Sequence, residues 1–187
     1  PKPADKGLSM DFRDRKHPRL KHYDYSLPGY YYVTIHVEKS APLLSGIRQV
    51  SMQNELQVVL TPIGKLAEQE LFALENRYPH VKIDKYAIMP THIHAIVQLL
   101  AGYGTRSGLT DIICAYKSLT TRACNQMLGV SGRKLFQTSF FESVLRNEQA
   151  YQECWKYIDE NPGIITAYNA APEMSYKHRT KESYLNE

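Results

Sequence analysis

Two histidines one residue apart, His92 and His94 in the run Met89-Pro90-Thr91-His92-Ile93-His94, are the first side chains in this 187-residue chain whose types and spacing could do chemistry. With the following Ala95-Ile96-Val97-Gln98-Leu99, the run reads as a β-strand. Ile93, Ala95, Val97 and Leu99 then lie on a core face, and His92, His94, Ile96 and Gln98 on the other. Imidazoles two apart on a strand point the same way, close enough to hold one divalent cation through their neutral forms. The spacing also suits two half-exposed strand histidines, and the residue pattern alone leaves both readings open.

A second pair lies in the last helical segment. Asn147 reads as the N-cap of a helix running to about Asn161, in which Tyr151, Cys154, Trp155 and Ile158 fall within about 100° and form the buried stripe. Tyr157 sits about 120° from Tyr151 on the flank of that stripe, with Asn161 only about 40° from it, so a phenol and an amide project together from the boundary of core and solvent. A tyrosine that packs its ring and wets its hydroxyl beside a helix-end asparagine fits the same pattern.

The elements that must position these residues are legible in the periodicity. Tyr30 to Val37 and Leu56 to Leu60 read as strands, and Thr61-Pro62 as the cap and first turn of a helix through about Arg77. Lys82 to Met89 is a further strand, and Pro90 sends the His92 strand back antiparallel to it. Gly102 to Gly108 reads as a mobile loop and Leu109 to about Met127 as a helix closed by Gly129 to Gly132. Leu135 to Leu145 reads as a fifth strand or an extended segment. The order β-β-α-β-β-α-β-α implies an α+β fold, an antiparallel sheet with helices packed on one face.

Composition narrows the function classes. An apolar content of 43% supports a conventional core, and the net charge of +4 is concentrated in the tails, at Arg13, Arg15, Lys16, Arg19 and Lys21 and at Lys177, Arg179 and Lys181. Such runs are either solvated tails or contacts for a polyanion. Three cysteines without CxxC or zinc-ribbon spacing argue against a disulfide framework or structural zinc and fit a reducing cytoplasm. No apolar run reaches the length of a membrane span, and no secretory signal follows the basic N-terminus.

Four segments, His22-Tyr-Asp-Tyr-Ser-Leu-Pro-Gly-Tyr-Tyr-Tyr-Val-Thr-Ile35, Met89-Pro-Thr-His-Ile-His-Ala-Ile-Val97, Phe140-Phe-Glu-Ser-Val-Leu-Arg-Asn-Glu148 and Tyr157-Ile-Asp-Glu-Asn-Pro162, resemble in order and spacing the single-tyrosine HUH transposases, most closely the REP-associated tyrosine transposases. The resemblance implies a ferredoxin-like, RRM-like core over residues 22–165, between a basic tail of residues 1–21 and a C-terminal tail of residues 166–187. It implies binding of single-stranded DNA with a hairpin or repeat element, cleavage by a tyrosine nucleophile with Mg²⁺ or Mn²⁺, and strand transfer. His92 and His94 match the metal-binding pair and Tyr157 the nucleophile. Asn161 falls where insertion-sequence relatives usually carry a metal-binding glutamine. One departure stands out: many relatives have a histidine after the acidic residue of the third segment, where this chain has Ser143. That leaves the third ligand open between Asn161 and Glu142.

The implied chemistry suits these groups. A cation neutralises phosphate charge, and a phenol held in line can store the cut strand as a phosphotyrosine and return it without ATP. Unstacked bases in the single strand would find aromatic partners among Tyr23, Tyr25, Tyr30 and Tyr32, with Lys117 and Arg122 as phosphate contacts. Alternatives from other classes are a non-catalytic nucleic-acid-binding module descended from such an enzyme, and a metal-dependent phosphodiesterase in which Tyr157 only packs. A homodimer, with Tyr157 serving its own or a partner's histidines, stays open.

Overall fold

Local chemistry sets the start of the first long helix. Thr61 takes an extended backbone, its Oγ1 accepts from Gly64 N at 3.0 Å, and Pro62 fills the first turn, where no intrahelical donor is needed. The helix, α1 (Pro62–Arg77), buries Gly64, Ala67, Leu71 and Leu74. Its N-terminus is docked as well as capped: Thr61 Oγ1 donates to Leu43 O at 2.6 Å, and Thr61 N donates to Leu44 O at 3.0 Å. A methyl group at Gly64 would overlap that Leu44 carbonyl, a backbone group that cannot swing aside. Gly64→Ala is therefore expected to destabilise the protein by about 2 to 3 kcal/mol despite alanine's better helix propensity. A lower urea midpoint with unchanged slope is the expected readout, and an unchanged midpoint would contradict the docking.

The computed structural model describes residue 20 and residues 22–49, 56–104 and 107–170. In chain order the elements are β1 (Gly29–His36), β2 (Ser45–Gln49), β3 (Leu56–Leu60), α1, β4 (Val81–Ile88), β5 (His92–Leu99), α2 (Leu109–Leu128), β6 (Phe141–Leu145) and α3 (Glu148–Ala170), with a short 3-10 turn at Glu38–Ser40. Four strands form one sheet in the order β4-β5-β1-β6, every neighbouring pair antiparallel, and β2 pairs with β3 separately. The α+β antiparallel architecture is the one expected. Strand β2 was not, because its short sequence, Ser-Gly-Ile-Arg-Gln, has only one apolar residue and shows no alternation. The stretch Leu135 to Leu145 divides in two: Phe136 makes an isolated bridge to Val37, and only Phe141–Leu145 joins the sheet.

Alternation divides the sheet into two unlike faces. Tyr31, Val33 and Ile35 of β1 and Ile93, Ala95, Val97 and Leu99 of β5 form the main core with Ala67, Leu71 and Leu74 of α1 and Leu109, Ile112, Ile113 and Tyr116 of α2. The opposite face carries a second, smaller core in which Tyr32 and Ile96 meet Cys154 and Ile158 of α3. The expectation that all helices pack on one face is thus corrected: α1 and α2 do, and α3 covers part of the other. The cause is that Tyr32 and Ile96 give this face an apolar centre that needs cover.

Helix α3 also continues past its expected end near Asn161 and through the boundary expected at residue 165, so Pro162 costs one ladder donor without stopping it. Asn147 Oδ1 accepts from Ala150 N at 2.8 Å, the expected cap. Gly129, at φ +65°, ends α2 in the left-handed conformation. Arg13, Arg15 and Lys16, with most of both expected tails, lie outside the described residues, as do Thr105 and Arg106 of the Gly102 loop.

Candidate active site

The sheet register builds the site. Across the β1–β5 pair, His36 lies opposite His92 and Thr34 opposite His94, so all four side chains share one face, with Tyr32 two residues before Thr34. The imidazoles of His92 and His94 have centroids 4.5 Å apart, and His36 stands 5.4 Å from His92. Tyr157 reaches this row from α3, its ring edge-on to His94 at 5.4 Å and to Tyr32 at 6.4 Å. Tyr157 therefore meets the histidine pair, although it lies more than 60 residues from it along the chain.

Burial makes the site more enclosed than the strand pattern implied. His94 is only 4% exposed, and both of its ring nitrogens are shielded. Nδ1 lies 2.7 Å from Tyr32 Oη and 3.0 Å from Thr34 Oγ1, and the Tyr32 ring stacks on the imidazole. Nε2 is buried without a hydrogen-bond partner. His92 Nδ1 lies 3.0 Å from Thr91 Oγ1. Desolvation holds all three imidazoles neutral: His36 is lowered by burial, His92 is pushed down to about 4 by burial and then by His36, and His94 is lowered well below the ordinary histidine range by burial and then by His92 and His36. Neutral rings offer lone pairs, which a cation requires.

These shifts give the site a pH signature. Below pH 6.5 the unfolded chain protonates histidines that the folded, metal-free protein keeps neutral, so stability present above pH 6.5 falls as pH drops toward 4. For His92 alone the full effect is about 3 kcal/mol. Urea titrations in chelator across this range should show the decline, and His92→Gln should flatten it; parallel pH profiles for the two proteins would contradict the assignment.

Helix α3 presents Cys154, Tyr157, Ile158 and Asn161, an i, i+3, i+4, i+7 set, toward the sheet. Trp155, expected in the buried stripe, is 38% exposed with Lys85 Nζ 3.7 Å above its ring. Its amphipathic ring is served by a cation at the surface, and the stripe is rotated accordingly toward Tyr157. Asn161 is buried at 4% exposure, one turn beyond Tyr157. Tyr151 is held apart, its hydroxyl donating to Asp84 Oδ2 at 2.7 Å, a bond that with burial pushes the phenol up to about 12.

Glu142 does not belong to this site. It lies opposite Val33 in the register, on the α1 and α2 face, where Tyr25 Oη donates to its Oε1 at 3.1 Å. A carboxylate on one face cannot share an ion with imidazoles on the other, so the alternative third ligand is corrected on parity grounds. Ser143, opposite Tyr32, lies on the histidine face together with Phe141 and Leu145.

The expected DNA contacts also separate. Tyr23 and Tyr25 are half-buried, pack edge to face at 5.0 Å and abut the main core, on the side of the sheet away from His94. Lys117 donates to the carbonyls of Thr138 and Ser139, and Arg122 is exposed; both lie on α2, on the far side of the sheet from His94. Tyr32 is buried under α3. Two residues of the site, His36 and Thr34, escaped the sequence reading, and Tyr32 entered it only as an expected partner for unstacked bases. Their signal was the alternation of β1, which places them on one face, but the strand's partner could not be known from its own residues. Among the described residues, no group of three or more His, Cys, Asp or Glu side chains is arranged to hold a metal ion. Three imidazoles, those of His36, His92 and His94, share this face, and Asn161 is a buried amide on the helix that covers it.

Comparison with known proteins agrees with this architecture. The chain has the fold of a REP-associated tyrosine transposase solved bound to a REP hairpin: TM-score 0.54 and 19% identity, covering 79% of this chain and 73% of that one. A Haemophilus influenzae protein described only as uncharacterized is 26% identical over 166 residues, 79% of this chain and 88% of its own length. No protein-family profile matches the chain. No helix among the described residues is long and apolar enough to cross a membrane.

Proposed function

We propose that this protein is a single-tyrosine HUH transposase of the REP-associated kind, a metal-dependent enzyme that nicks single-stranded DNA near a hairpin and transfers the strand through a 5′-phosphotyrosine. The observation that carries the reading is the meeting of Tyr157 with His94 at 5.4 Å, beside the paired His92. The sequence resemblance and the shared fold support it independently of that contact.

The residues present fit a divalent cation: His94 holds a buried Nε2 without a partner, and burial keeps both imidazoles neutral. His92 and His94 would bind Mg²⁺ or Mn²⁺, with Asn161 as third donor. When bound, the ion neutralises a non-bridging phosphate oxygen and makes phosphorus more electrophilic. Tyr157 Oη attacks that phosphorus in line. The new bond joins phenol oxygen to phosphorus, the bond from phosphorus to the sugar 3′ oxygen breaks, the phenolic proton passes to solvent, and the 3′ oxygen takes one up. Attack by a 3′ hydroxyl reverses these steps and rejoins DNA.

The test is incubation of the protein with labelled, hairpin-bearing single-stranded DNA and Mn²⁺, followed by a denaturing gel. Cleaved DNA migrating with protein supports the proposal. Cleaved DNA free of protein would favour a phosphodiesterase, and binding without cleavage a non-catalytic module.

A further inference from the structure

We propose that Tyr32 and Thr34 are positioning residues that set the tautomer of His94, keeping the proton on Nδ1 so that Nε2 presents its lone pair to a cation. The inference rests on the metal-site reading above and extends it to residues that touch neither cation nor DNA. Two hydroxyl oxygens lie around Nδ1, at 2.7 and 3.0 Å, whereas Nε2 has no hydrogen-bond partner in the fold. A neutral imidazole carries one proton, so one ring nitrogen donates and the other accepts. With the proton on Nε2, a buried N–H would point at nothing and no cation could bind there. With the proton on Nδ1, the N–H donates to a hydroxyl oxygen, and the lone pair left on Nε2 is the group a cation satisfies.

The surroundings make this more than incidental packing. The Tyr32 ring stacks on His94 at a 20° interplanar angle with centroids 5.6 Å apart, fixing the ring plane while its hydroxyl meets Nδ1. Thr34 is directly opposite His94 in the strand register, and its β-branched side chain has little rotamer freedom. Tyr32 also packs edge-on to Tyr157, so the same phenol borders both the imidazole and the proposed nucleophile. No bond is made or broken in this role; the hydroxyls act only by where they let the proton reside.

The experiment measures Mg²⁺ affinity by calorimetry and the His94 tautomer by nitrogen-resolved NMR of the ring, in wild type, Tyr32→Phe and Thr34→Val, each first checked for folding by circular dichroism. Metal-free wild type in chelator should already show the Nδ1-protonated ring, and the variants' tautomers are compared with it under the same conditions. Tyr32→Phe, which keeps the ring and removes only the hydroxyl, should bind Mg²⁺ about 10- to 100-fold more weakly and shift His94 toward the Nε2-protonated form. Thr34→Val should move both readouts in the same direction and stands as the test if Tyr32→Phe does not fold. Weaker binding with an unchanged tautomer would overturn the inference, as would unchanged affinity in both variants. Absence of Mg²⁺ and Mn²⁺ binding by the wild type would instead overturn the underlying metal-site reading, and the two failures are thus distinguishable.

Discussion

Tyr157→Phe is expected to bind hairpin-bearing single-stranded DNA with wild-type affinity and to form no covalent adduct. The substitution removes one oxygen and keeps a ring that packs against His94 and Tyr32, so a structural role would tolerate it. A nucleophilic role would not, because phenylalanine has no atom that can bond to phosphorus. Cleavage should fall by at least about 10⁴-fold, the scale of losing a covalent nucleophile. Cleavage at the wild-type rate would remove Tyr157 from the mechanism even if the histidines bind metal.

The second large effect is expected at the histidines, and the structure changes how it should be tested. Alanine at both positions would suit a pair lying on an open face away from the core. His94, however, is buried beside Tyr32 and Ile96 under α3, so His94→Ala opens a cavity and strands the partners of Nδ1. Asparagine or glutamine at 92 and 94 better separates chemistry from stability. The double variant should lose at least about 10³-fold in cleavage, since a cation in this role contributes several kcal/mol, and should lose Mn²⁺ binding with only a modest change in urea midpoint. Retained cleavage in a folded double variant would contradict the metal-centred account.

How much of this was legible in the chain depended on whether the controlling interaction was local. Thr61-Pro62 fixed the start of α1 because a cap and a first-turn proline act within one turn. The His92 and His94 spacing showed that the rings share a face, since strand parity is a property of one strand. Which residues face them was not legible. His36 and Thr34 meet the pair only through the β1–β5 register, and Glu142 was misplaced because its face is set by pairing with Val33. The stripe of α3 was drawn through Trp155 on hydrophobicity alone, whereas Lys85 stabilises that ring at the surface. Removing Trp155 from the stripe turns Tyr157 from a flank residue into one that reaches the sheet. Packing of α3 on the second face was hidden for a related reason: its apolar partner there, Tyr32 with Ile96 flanked by Ala87, Phe141 and Leu145, is assembled from four different strands.

The most direct test of the central claim is peptide mapping of the covalent adduct trapped on hairpin-bearing single-stranded DNA with Mn²⁺. The account predicts a 5′-phosphate attached at Tyr157, the tyrosine beside His94. Attachment at Tyr151, whose hydroxyl is committed to Asp84, or at Tyr168, would contradict it.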